Sequence, residues 1–63
     1  MIKLTKMLEL IGMENLATIY QGDTKIYFGE CGKCPMYIWG HAYVSEMKYS
    51  NETFRYIIKI RYM

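Results

Sequence analysis

The sequence predicts an α+β fold in which a short N-terminal helix packs on a four-stranded antiparallel β-meander, with a one-turn helix between the second and third strands. Three observations carry this. Leu4, Met7, Leu8 and Ile11 recur at i, i+3, i+4 and i+7, which places them on one helical face. Phe54, Tyr56, Ile58, Ile60 and Tyr62 alternate with Arg55, Ile57, Lys59 and Arg61, the period of a half-buried strand. Between them, Gln21-Gly22-Asp23-Thr24 and Ser50-Asn51-Glu52-Thr53 are runs of turn formers that divide the remainder into two hairpins.

Taken in order, Thr5 is suited to cap the helix N-terminus and Gly12 to end it, with Met13 placed to fold back on the last turn. A helix of about two turns is marginal alone, so it must be held by packing against the sheet. Residues 16–20 read as the first strand and 25–31 as the second, rich in Ile and aromatics. Pro35 opens a short helical turn through Ile38, with Cys34 in the cap position and Trp39-Gly40 ending it. Residues 42–49 form the third strand, whose parity breaks in the middle. A bulge near Ser45 would let both Val44 and Met47 point inward. Residues 54–62 form the fourth.

With 63 residues the chain makes one compact domain, residues 1–63, and buries only about 60% of its unfolded surface. Hydrophobic residues at 52% exclude a disordered segment. The net charge of +2 is too small to be an electrostatic footprint for nucleic acid by itself. No apolar run reaches the roughly 18–20 residues that cross a bilayer, and the charged opening lacks the uncharged core of a signal peptide. A cytoplasmic protein is expected, with no membrane partner and its cysteines reduced.

Cys31-Gly32-Lys33-Cys34 is the one reactive spacing. Three readings compete. A structural zinc site wants four ligands, and the chain offers Cys31, Cys34 and His41, so a monomer falls short while a symmetric dimer could pool one Cys pair from each subunit. Cys-Gly-Lys-Cys before a helix start also resembles the thioredoxin-type active-site motif; that resemblance implies a thiol redox protein in which Cys31 attacks and Cys34 resolves, but the family fold needs a longer chain and a cis-proline facing the motif, and Pro35 is the only proline. The preferred reading is that both thiols are small buried hydrophobes and no cofactor is bound. His41 has no carboxylate at helical or strand spacing to orient it, and no Ser/His/Asp set, phosphate loop or carboxylate pair is present, so no enzyme is expected.

Seven tyrosines and Trp39 exceed what so small a core requires. They serve either as cross-strand packing or as a contact surface of low rotamer cost. The candidate partner-binding residues are Tyr37, Trp39, Tyr43, Tyr49 and the strand-four cations Arg55, Lys59 and Arg61, which suit an acidic protein surface or a phosphate backbone. The leading expectation is a non-enzymatic protein-interaction module that binds a protein partner or itself as a homodimer. The alternatives are a zinc-bridged dimer binding nucleic acid and a small thiol redox protein.

The order of the helix, the hairpin ending in Tyr27-Phe28-Gly29-Glu30-Cys31-Gly32-Lys33-Cys34-Pro35 and the closing Ile57-Ile58-Lys59-Ile60 strand resembles short proteins encoded by phages and prophages of gut Firmicutes. Aliphatic residues often stand in that pattern where this chain has Cys31 and Cys34, which favours packing for both. The resemblance carries over no functional residue. It implies a phage accessory protein in the host cytoplasm, with inhibition of a host defence system such as CRISPR as one role proteins of this size take.

Overall fold

The structure, a computed structural model, describes residues 2–62. Helix α1 (Leu4–Ile11) is followed by strands β1 (Leu16–Gln21) and β2 (Thr24–Glu30), a 3-10 turn at Cys31–Lys33, helix α2 (Met36–Trp39) and strands β3 (Tyr43–Ser50) and β4 (Arg55–Arg61). The α+β class, the four strands and the small helix between the second and third agree with expectation. Pairing differs from the meander. The sheet order is β2-β1-β4-β3, and β1 runs parallel to β4. Each hairpin forms as predicted, but the two dock through β1 and β4 rather than through β2 and β3.

The reason lies in residues 31–42. This segment carries Cys31, Cys34, Met36, Trp39 and Ala42, which are buried in or packed against the core. Those residues can reach the core only if the segment crosses one face of the sheet, and the crossing delivers β3 to the opposite edge from β2. Helix α1 covers the same face, with Leu4 and Leu8 fully buried. Beneath them lie Ala17 and Ile19 of β1 and Ile58 and Ile60 of β4, in the register Ile19↔Ile58. The alternation read in the fourth strand therefore holds for Tyr56, Ile58 and Ile60. Phe54 and Tyr62 fall outside the strand and are exposed.

Local contacts explain the remaining boundary differences. Lys3, not Thr5, precedes the helix, and no side chain caps it. The Leu4 N–H donates instead to the Ala42 carbonyl at 2.8 Å, so the segment entering β3 supplies the acceptor that a capping oxygen would. Thr5 Oγ1 donates to the Gly40 carbonyl at 3.0 Å and ties α1 to the end of α2. Gly40 fits there because it lacks a side chain: a Cβ would stand 2.5 Å from the Met36 carbonyl oxygen and 2.7 Å from Thr5 Oγ1. Gly12 ends α1 with φ of +110°, and Asn15 Nδ2 donates to the Ile11 carbonyl at 2.7 Å. Pro35 precedes α2, so that helix starts one residue later than expected.

Two bulges set which side chains face the core. In β3 the register shifts between Val44 and Glu46, leaving Ser45 unpaired, and Val44 and Met47 both lie on the core side opposite Ile60 and Ile58. This is the predicted bulge. A second shift, in the β1–β2 ladder next to Tyr20, leaves Ile26 unpaired and lets Ile26 and Tyr27 both pack against the core. Among the described residues, no helix is long and apolar enough to cross a membrane.

Candidate functional site

Because α1 and the crossover segment share one face, the other face of the sheet has no cover. The register assigns its residues: Phe28, Thr18, Ile57 and Lys48 form one row across β2-β1-β4-β3, and Lys25, Tyr20, Lys59 and Glu46 form the next. Tyr43 pairs with Arg61 at one end, and Arg55 lies beyond the Ile57 row at the other. A groove of about 470 Å³ opens here, lined by Thr18, Tyr20, Lys25, Phe28, Arg55 and Ile57, with Thr53 at its end.

Arg55 shapes the groove. Its guanidinium carbon sits 3.8 Å from the centre of the Phe28 ring. Arg55 is on β4, Phe28 on β2 and β1 lies between them, so the arginine side chain reaches across β1. Thr18, flanked by Phe28 and Ile57 under that span, is only 6% exposed although it belongs to the uncovered face. Lys25 Nζ approaches the same ring at 5.1 Å. Each such contact is worth about 0.5–1 kcal/mol where solvent is near. Arg55 Nη1 is buried without a hydrogen-bond acceptor, an unusual state for a charged donor.

The charge is segregated. Lys25, Lys48, Arg55, Lys59 and Arg61 stand on this face, with Glu46 opposite Lys59 and Glu30 at the corner, where it meets Lys33 at 3.4 Å. The two ion pairs among the described residues, Lys6–Glu9 and Glu30–Lys33, involve none of those five cations. Elsewhere carboxylates outnumber cations, with Glu9, Glu14, Asp23 and Glu52 against Lys3, Lys6 and Lys33. The overall +2 thus conceals a positive sheet face and a negative remainder.

The residues singled out from the sequence divide among three places. Tyr43, Arg55, Lys59 and Arg61 belong to the uncovered face. Tyr49 is on the core side, stacked edge-on to Tyr56 with centroids 5.0 Å apart, beyond the reach of α1. Tyr37, 86% exposed, is on α2, while Trp39 packs against the core. Sequence reasoning missed Tyr20, Lys25, Phe28 and Thr18. Parity on β1 pointed to Thr18 and Tyr20, whose neighbours Ala17 and Ile19 are core residues. The Tyr27-Phe28 pair carried no such signal, because two adjacent aromatics do not say which one faces inward.

Cys31 and Cys34 lie in the core cluster as free thiols. Burial pushes the Cys31 thiol up, and burial followed by the nearby Cys31 pushes Cys34 up to about 11. A thiol so placed holds its proton at neutral pH, the opposite of the activated cysteine that disulfide exchange requires. Tyr27 is raised too, first by burial and then by the negative charge that Cys34, Cys31 and Glu30 would carry; its hydroxyl donates to the Glu30 carbonyl at 2.6 Å. His41 is exposed beyond α2. Among the described residues, no three of His, Cys, Asp and Glu gather closely enough to hold one ion. A zinc centre shared across a dimer would need both thiols to leave the core.

Comparison with protein-family models, with curated proteins and with solved structures finds no match to this chain.

Proposed function

We propose that this chain is a non-enzymatic binding module whose working surface is the uncovered sheet face. One observation carries the reading: a groove with a ring exposed at 59%, Phe28, lies among five cations that form no ion pair among the described residues, on the side of the sheet opposite α1 and α2. Exposed rings beside cations are what a binding surface presents to an anionic partner.

A second reading, binding of a host protein or of a second copy through the aromatic surface, is supported by the exposure of Tyr37, Tyr49 and Phe54. The resemblance to phage-encoded accessory proteins agrees with either, and inhibition of a defence system is a role such binding could serve. Capture from a bacterial extract with variants separates the two. Lys59→Glu combined with Arg61→Glu should abolish retention of the specific partner, whereas Tyr37→Ala combined with Tyr49→Ala should leave it. The reverse pattern assigns the function to the aromatic surface and overturns the leading reading.

A further inference from the structure

We infer that the uncovered face binds single-stranded nucleic acid, with a base stacked in the groove at Phe28 and the sugar–phosphate backbone running along Lys48, Lys59 and Arg61. The inference rests on the preceding reading of this face and names its occupant. Charge complementarity is the first argument. Five of the eight cations share one face while the remainder of the chain is net acidic, so a polyanion meets its strongest attraction here. Where the cations sit is the second. Protein interfaces deplete charge at their centre and keep it at the rim. Here Lys59 lies on an inner strand between Tyr20 and Glu46, and Arg55 crosses β1 into the groove. Backbone phosphates interleaved with bases require such mixing of charge and ring across the middle of the surface.

The third argument is shape. Duplex DNA is read by an element that enters a groove, whereas splayed bases stack on a sheet that offers rings. Phe28 is 59% exposed at the groove, and Arg55 lays its guanidinium over one face of the ring at 3.8 Å, so a base extends this stack from the open side of the pair. Arg55 Nη1 lacks an acceptor; turning the guanidinium toward a phosphate or a base carbonyl supplies one. From Arg55 to Arg61 the strand extends about 20 Å, enough for a short run of nucleotides.

The test uses the full chain and fluorescence anisotropy with labelled oligo-dT and oligo-rU, a duplex of equal length, and poly-L-glutamate as competitor. Single strands should bind more tightly than duplex. If three to five phosphates are neutralised, raising salt from about 50 to 200 mM should weaken binding about 20- to 130-fold. Phe28→Ala should weaken it about 5- to 150-fold, and Phe28→Tyr should restore most of the loss. Lys59→Ala should reduce the salt slope by about 0.7. Circular dichroism confirms that each exposed-site variant is folded. Absence of binding at low salt overturns the inference, as does indifference to Phe28→Ala, or equal competition by poly-L-glutamate. The capture experiment then separates the two levels. A nuclease-resistant partner lost on charge reversal of Lys59 and Arg61 leaves the open face as the working surface with a different occupant, and a partner indifferent to that reversal removes both.

Discussion

Raising the pH from 7 to 11 should destabilise the protein through Cys34, by an amount the structure sets. The thiol has an ordinary value of 9.0 in the unfolded chain and is held up to about 11 in the fold, chiefly by burial and then by Cys31. Below pH 9 both states keep the proton, and stability does not depend on this group. Between 9 and 11 the unfolded chain has released it while the folded chain retains it, so the unfolded state binds fewer protons and stability falls as pH rises. At about 1.4 kcal/mol for each unit of separation, roughly 1.4 kcal/mol is lost by pH 10 and about 2.7 kcal/mol once the folded thiol has ionised. A domain of this size holds roughly 3–9 kcal/mol in total, so the loss is a large share. Cys31 and Tyr27 are raised as well and add in the same direction. Urea unfolding at pH 7 and pH 10 under reducing conditions, on the wild type and on Cys34→Ala, measures the effect. The variant should lose about 1.4 kcal/mol less than the wild type over that interval. Equal losses in the two proteins, or a Cys34 ¹³Cβ resonance titrating near 9, would refute the argument that the core holds this thiol neutral.

Other substitutions probe packing and the open face separately. Ile58→Ala, at a fully buried position between Ile19 and Met47, should cost about 2–5 kcal/mol and lower the melting temperature by well over about 10 °C in thermal denaturation. Gly40→Ala should cost about 1–3 kcal/mol, since its methyl group meets backbone at Met36 and the Thr5 hydroxyl; Thr5→Ala introduced alongside should recover only the hydroxyl's share in chemical denaturation. Arg55→Met should change unfolding free energy by no more than about 1 kcal/mol, because it removes a buried unpaired donor while keeping the apolar stem over β1, yet it should weaken oligonucleotide binding. Phe54 is 72% exposed with φ of +55°, so Phe54→Gly should stabilise by about 1 kcal/mol in urea titrations.

Where one face of an element meets the core, its hydrophobic period reveals it. The helix, the four strands and the Ser45 bulge were legible on that ground, the two hairpin turns from their turn-forming residues, and the burial of Cys31 and Cys34 from the usual place of a free thiol. The candidate site was half legible: Arg55, Lys59 and Arg61 declared themselves by alternating with Tyr56, Ile58 and Ile60. Phe28 did not, because the unpaired Ile26 shifts parity within β2, and a register shift is a property of two strands together. Nor did the helix cap, whose acceptor is a main-chain carbonyl brought from Ala42.

The residue pattern by itself therefore determined which elements form and, on β4, which side chains turn inward, since those follow from local period and burial. Strand adjacency was decided by tertiary packing alone. The pattern of a strand is the same whichever neighbour it bonds, and only the need of residues 31–42 to bury their apolar side chains on one face put β1 beside β4 and left the cationic face open.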